Sequence, residues 1–216
     1  APVNNIVVTC VPNVQLGGTL RGLAASTSLG LSTKSALSID ASTAAVAQTP
    51  LLVANGVFTL PYYIVSGHQY SVEVSTQPAA QVCSVLNGVG TAENTNLPAA
   101  KNIAVNCVPG VPVTVKYTSS LKASGRLTLS NNDNDSLSVI QAAVAADGTG
   151  TFNKSLLNGA SYNVKVSTQP YAQFCSVTGG TGTAVLTTPV TAISAGLSCV
   201  DAMSLTGTLT GLKTGA

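Results

Sequence analysis

The sequence predicts an all-β chain built from tandem Greek-key β-sandwich modules. Three observations carry this expectation: a near-verbatim internal repeat, apolar residues that recur at every second position, and turn signals at short, regular intervals. The repeat is clearest in "GHQYSVEVSTQPAAQVCSV", Gly67 to Val85, and "GASYNVKVSTQPYAQFCSV", Gly159 to Val177, where thirteen of nineteen positions are identical at an offset of 92 residues. Self-similarity at a fixed period marks repeated structural units. Gly56 and Gly148, Gly88 and Gly180, and the pairs Gly90-Thr91 and Gly182-Thr183 keep the same offset, as do Cys83 with Cys175 and Cys107 with Cys199. Upstream of Gly56 the register slips by five residues.

In chain order, "NNIVVTCV" (Asn4–Val11) resembles "KNIAVNCV" (Lys101–Val108), so the chain opens on a strand that reads as the last one of a preceding module. "GTLTGL" (Gly207–Leu212) resembles "GTLRGL" (Gly18–Leu23), and each lies eight residues after a cysteine. The expected organisation is therefore a preceding module's last strand in 1–12, module 1 in 13–108, module 2 in 109–200, and a following module's first strand in 201–216. The joints "VPN" and "VPGVP" are short and proline-bearing, which favours a stiff, rod-like array over free hinging. Strands Asn4–Val11 and Met203–Leu212 would present unpaired edges, and these favour head-to-tail strand addition between neighbouring copies or modules.

Within each module the strands declare themselves by period two. Tyr70, Val72 and Val74 alternate with Ser71, Glu73 and Ser75; Tyr162, Val164 and Val166 alternate with Asn163, Lys165 and Ser167. That pattern belongs to a strand packed on one face. Asn55-Gly56, Ser66-Gly67, Asn131–Asp135, Asp147-Gly148 and Asn158-Gly159 supply turn signals between strands. The one helical rival, "STAAVAQTPLLVANG" (Ser42–Gly56), is broken by Pro50. In both repeats glycine precedes the strand tyrosine by three positions: Gly67 with Tyr70, and Gly159 with Tyr162. This spacing suits a tyrosine corner, in which the ring enters the core and the hydroxyl reaches backbone between the sheets. An ordinary core tyrosine is the alternative.

The run G-x-L-x-L…D-G-x-x-x-F…L-x-x-G-x-x-Y-x-V-x-V-x-T-Q-P-x-x-Q-x-C resembles the Ig-like tandem repeats of large bacterial surface and adhesin-type proteins. The second module carries most of it, from Gly125 to Leu129, through Asp147-Gly148, Phe152, Leu156, Gly159, Tyr162 and Thr168-Gln169-Pro170, to Gln173 and Cys175. The first module departs from it before Gly56. The resemblance implies an Ig-like sandwich and a place on the bacterial surface or outside the cell. It brings no catalytic residue with it.

Five cysteines, four of them at matched spacing, suit an oxidising compartment. The repeated separation of 24 pairs Cys83 with Cys107 and Cys175 with Cys199, leaving Cys10 unpaired or linked between units. Closing such a loop stabilises a module by roughly 3–3.5 kcal/mol in the chain-entropy account. A competing scheme joins Cys10 to Cys83 and Cys107 to Cys175, with Cys199 left over. A zinc site lacks its usual signature, since there is no CxxC and a single histidine.

Composition narrows the function further. Only 7% of the 216 residues are charged and the formal net charge is +2, which argues against nucleic acid as partner. No apolar run is long enough to cross a bilayer as a helix, and "APVNNIVVTC" has no signal-peptide pattern. The lone His68 is replaced by Ala160 in the second repeat, the behaviour of a loop residue. The seven acids are scattered, without a marked carboxylate pair, and HExxH, GxSxG and P-loop motifs are absent. Asn131–Asp135 could hold calcium through its oxygens or simply form a polar hairpin turn. Tyr62-Tyr63 offers one outward ring for a sugar, and the Thr-rich "TGGTGTAVLTTPVT" (Thr178–Thr191) is too irregular for an ice-binding face. The expectation is a non-enzymatic structural segment, a stalk or fibre subunit of an exported bacterial adhesin or filament, with no cofactor. The alternative is a module that binds glycans or a host protein.

Overall fold

The computed structural model describes residues 12–35, 47–48, 51–93, 102–117, 126–140, 147–203 and 207. Cys10, strand Asn4–Val11 and all but Met203 and Gly207 of the stretch from Met203 to Leu212 lie outside them. The described residues form sixteen strands and no helix. Eight belong to the first repeat: β1 (Asn13–Arg21), β2 (Gly30–Ser35), β3 (Ala47–Gln48), β4 (Gly56–Val65), β5 (Gln69–Thr76), β6 (Gln81–Leu86), β7 (Val89–Thr91) and β8 (Ile103–Pro109). Eight belong to the second: β9 (Val113–Tyr117), β10 (Arg126–Asn131), β11 (Asp135–Ile140), β12 (Gly148–Thr151), β13 (Ser161–Thr168), β14 (Gln173–Thr178), β15 (Thr181–Thr183) and β16 (Ile193–Asp201).

The two sets have one topology. In the first, β4-β1-β8-β6 make one sheet and β3-β2-β5-β7 the other; in the second, β12-β9-β16-β14 face β11-β10-β13-β15. The first and last strands of each set run parallel, β1 beside β8 and β9 beside β16, and every other pairing is antiparallel. Even the irregularities repeat: the β2–β5 ladder slips between Gly30 and Leu31, and the β10–β13 ladder slips between Thr128 and Leu129. A bulge re-aims a strand and sharpens its twist, so its recurrence shows that the repeat extends to backbone shape. This is a tandem pair of Greek-key, Ig-like β-sandwiches.

Period two in the sequence becomes inside and outside. Tyr70 and Val72 of β5 are buried, while Glu73 between Val72 and Val74 is exposed. The first core closes around Leu16, Leu20, Leu29, Leu31, Leu60, Ile103 and Val105, each at most 1% exposed. The second closes around Val113, Val115, Leu127, Leu129, Val164 and Leu197. Fully burying one such side chain stabilises by about 1.5–3 kcal/mol, so aliphatic side chains meet most of the core's needs in a chain with few aromatics.

The compact units interleave along the chain. Among the described residues the first unit runs to Val111 and adds 154–157; the second takes 112–153 and continues from 158. A single cut after residue 108, the boundary expected from the repeat, misses this exchange. Its cause is a backbone bridge: Val111 N–H donates to the Leu156 carbonyl at 2.8 Å, and Leu156 N–H returns a bond to the Val111 carbonyl at 2.9 Å. Val111 is 1% exposed as a result.

Candidate functional site

The most strongly repeated motif, T-Q-P-x-x-Q-x-C, sits at a sheet edge. Strands β6 and β14 are the outermost strands of their sheets. Each is joined to its inner neighbour by a disulfide, Cys83–Cys107 and Cys175–Cys199. The joined residues lie directly opposite in the antiparallel ladders, with Cα atoms 4.0 Å apart. That close spacing belongs to a non-hydrogen-bonded pair, so the N–H and C=O of Cys83 and Cys175 point outward, along the free edge.

There the first glutamine of the motif receives them. Cys83 N–H donates to Gln77 Oε1 at 2.8 Å, and Gln77 Nε2 donates to the Cys83 carbonyl at 2.9 Å. The second unit repeats the clasp: Cys175 N–H to Gln169 Oε1 at 2.7 Å, and Gln169 Nε2 to the Cys175 carbonyl at 2.9 Å. A primary amide carries one donor group and one acceptor at peptide-like spacing. The glutamine therefore stands where an added strand would place its own peptide. The intervening proline cannot donate, and Ala80 and Ala172 adopt positive φ (54° and 59°) to turn the chain into the edge strand.

The second glutamine works inward. Gln81, 5% exposed, donates to the Gly22 carbonyl at 2.7 Å and accepts from Ala24 N–H at 2.9 Å, pinning the loop after β1. Gln173 is equally buried and reaches Asp201 Oδ1 at 3.4 Å. A similar amide clasp joins Asn55 to both backbone groups of Leu23, at 2.8 Å each. Sequence reasoning passed over these glutamines. Their signal was present, since both recur unchanged in chemically different surroundings, but neither residue type announces a backbone contact.

The glycine–tyrosine pairs resolve into two separate roles. Gly67 and Gly159 have φ of 89° and 82°, and a Cβ there would meet nothing within 4 Å. Conformation alone favours glycine at these turns. Tyr70 lies opposite Gly90, and Tyr162 opposite Gly182, in adjacent strands. A Cβ on Gly90 would come within 2.9 Å of the Tyr70 hydroxyl, and one on Gly182 within 2.7 Å of the Tyr162 hydroxyl. Each ring thus covers a bare glycine across the ladder. Burial raises the Tyr70 phenol above its ordinary pKa.

Asn131–Asp135 forms the β10–β11 turn, with Asn132 and Asp133 at φ of 50° and 57°. Its polar atoms face protein groups. Asn131 Oδ1 accepts from Asn163 N–H at 3.1 Å, Asn132 Nδ2 donates to the Ser161 carbonyl at 2.9 Å, and Asp133 pairs with Lys165 at 2.8 Å. Among the described residues no three His, Cys, Asp or Glu side chains gather as a metal site. His68 stands at the turn beside Gly67, its N–H bonded to the Val65 carbonyl. Tyr63 is 63% exposed; the Tyr62 side chain is outside the described set.

A groove of about 340 Å³ lies between β5 and β6, with Ser71, Glu73, Val74, Ser84 and Val89 in its lining. Glu73 is its one ionisable lining group, and Glu73 Oε1 accepts from Ser71 Oγ at 3.1 Å. Among the described residues no helix is long and apolar enough to cross a membrane.

No protein-family model matches the chain, and no curated protein does. Solved structures similar to it include a mutant of the shaft pilin SpaA from Lactobacillus rhamnosus GG, at 9% identity and a TM-score of 0.33, covering 90% of this chain and all of that one. The C-terminal fragment of the pilus adhesin SpaC from the same organism aligns at 9% identity and a TM-score of 0.30, with the same coverage. The SpaC adhesin in its open conformation aligns at 11% identity and a TM-score of 0.27, over 84% of this chain and 31% of that chain.

Proposed function

We propose that the chain is a structural segment, a stalk or fibre unit, of an exported bacterial surface adhesin or extracellular filament. The observation that carries this reading is the use made of the repeated residues. Cys83, Cys175, Gln77 and Gln169 tie an edge strand to its sheet and close its free side. A module selected for chemistry would repeat a polar constellation in a cleft; this one repeats the fastening of its edges. The paired disulfides favour an oxidising compartment outside the cytosol, and few charges with many hydroxyls and amides fit an extracellular stalk. No cofactor enters this reading.

The test is single-molecule extension of the whole chain. Two unfolding events are expected, each withholding the residues closed behind its disulfide, separation 24. Reduction should lengthen each event by about 80 Å, at roughly 3.3–3.6 Å per residue. Unfolding at negligible force, with or without reductant, would sink the structural role.

A second reading, binding of glycans or a host protein, draws on Tyr171 and Phe174, which are 80% and 60% exposed near the edge of the second unit. The first unit has Ala79 and Val82 at these places, so such a site would belong to one unit only. Binding that survives Tyr171→Ala would remove that reading.

A further inference from the structure

The chain enters and leaves each unit through neighbouring strands that run the same way. In the first unit β1 lies beside β8, with Gly18 to Arg21 opposite Ile103 to Asn106; in the second β9 lies beside β16, with Val113 to Tyr117 opposite Ile193 to Leu197. Parallel direction fixes how tension acts on such a pair. A pull on the two ends of the chain draws β1 and β9 backward from their starts, and β8 and β16 forward from their ends. The partners are then dragged past each other along their length. The bonds of a parallel ladder are evenly spaced, so all of them are loaded together. Antiparallel terminal strands would instead take the load at one end of their ladder and open one bond at a time.

The surroundings of both pairs oppose sliding. Their strands are the inner ones of each sheet: β1 and β8 lie between β4 and β6, and β9 and β16 between β12 and β14. Leu20, Ile103 and Val105 in the first pair, and Val113, Val115 and Ala195 in the second, are at most 1% exposed. A strand that slips must therefore drag buried side chains through a close-packed core. In the second pair Ile193 N–H donates to the Pro112 carbonyl at 2.9 Å, and Thr114 Oγ1 adds a side-chain bond to the Ile193 carbonyl at 2.8 Å. The disulfides sit on the strands by which the chain leaves. Cys107 is two residues before the end of β8, and Cys199 two before the end of β16. Load arriving from the C-terminal side thus passes directly to Cys83 or Cys175 on the outer strand, and neither β8 nor β16 can slide alone.

We propose that the β1–β8 and β9–β16 pairs are shear clamps, the elements that set how much tension each unit bears. The inference rests on the structural-segment reading and names where in each unit the load is held. Forced unfolding is governed by the rate of unfolding and not by equilibrium stability. A clamp of this kind therefore makes resistance depend on the direction of pull in a way that equilibrium stability does not.

Single-molecule extension of one variant in two directions tests this. Thr191 is exposed and stands two residues before β16, so Thr191→azidophenylalanine in the whole chain supplies a side-chain handle. Pulled from its two termini, this variant should give two strong unfolding events. Pulled from its N-terminus and residue 191, it bears load on the second unit at the starts of both β9 and β16, which the Ile193–Pro112 bond holds together. The second clamp then unzips from Val113 and Ile193. Its event should fall to about half its force or less, because one residue pair at a time, rather than five, opposes the pull. The first unit is loaded alike in both pulls, so its event should keep its force. High forces that are equal in the two directions, or a fall shared by both units, would overturn the clamp and leave the structural reading standing. Negligible force in both directions would sink the structural reading and the clamp with it.

Discussion

A side-chain amide can do for one residue what a neighbouring strand does for many. Gln169 gives Cys175 both the donor and the acceptor its backbone needs at an unpaired edge, where exposed N–H and C=O groups otherwise recruit foreign strands. Gln169→Ala should remove two bonds worth about 1 kcal/mol each in net terms. A fall of about 2 kcal/mol in unfolding free energy by urea denaturation is expected, and an unchanged midpoint would make the clasp incidental. Across the other sheet Gly182 admits the Tyr162 ring. Gly182→Ala should cost about 1–3 kcal/mol by overpacking, and Tyr162→Phe in the same chain should recover part of it, because the hydroxyl is the atom nearest the new methyl group. Additive losses would place the strain elsewhere. Tyr70 adds a pH dependence. Its pKa is raised by burial in the folded state, so its contribution is fully present below the unfolded value of about 10 and is lost as pH climbs through the folded value. The first unit should weaken in alkali above about pH 10, and Tyr70→Phe should flatten that limb of the stability curve.

At the scale of strands and turns, the disulfides act on the excursion from one edge strand to its neighbour. Each closes a loop of separation 24 that carries a short strand to the other sheet, β7 or β15. Cys175→Ala with Cys199→Ala should lower the stability of the second unit by about 3 kcal/mol. The β10–β11 turn makes a different prediction. Asp133 is paired with Lys165, and Asn131 Oδ1 is committed to the backbone of Asn163, so millimolar calcium should leave the melting temperature unchanged; a clear rise would restore calcium to the turn. The exposed ion pair itself should matter little, under about 1 kcal/mol on Asp133→Asn. These elements differ in how much the sequence disclosed. Strand β5 was readable because burial on one face writes period two into the residues, and the turns were readable from Asn and Gly. The edge strands β3 and β11 and the parallel pairing of β1 with β8 were not, because pairing depends on residues far apart in the chain. The Gln clasp and the Tyr–Gly cover stayed hidden for the same reason: each joins residues whose types fit many other roles, and only proximity assigns them.

On the scale of the whole chain, the repeat predicted two modules, 13–108 and 109–200, and the two repeats share a topology strand for strand. What sequence similarity did not convey is where one compact unit stops. Residues 154–157 lie deep in the second repeat yet belong to the first unit, because Val111 finds its backbone partner in Leu156. The interleaving makes the first unit depend on a stretch that a cut by sequence would discard. A fragment of residues 1–111 keeps every strand from β1 to β8 but leaves Val111, 1% exposed in the whole chain, without its cover and without the two bonds to Leu156. Exposing one valine costs about 1.5–3 kcal/mol, and each lost bond adds up to about 1 kcal/mol where water replaces it poorly. Hydrogen exchange at β5 and β8 reports the first unit separately from the second. Protection there should fall by about 2–4 kcal/mol in the fragment and return when the chain is restored to full length. Equal protection in fragment and whole chain would mean that the bridge only follows the fold of the first unit and contributes nothing to holding it.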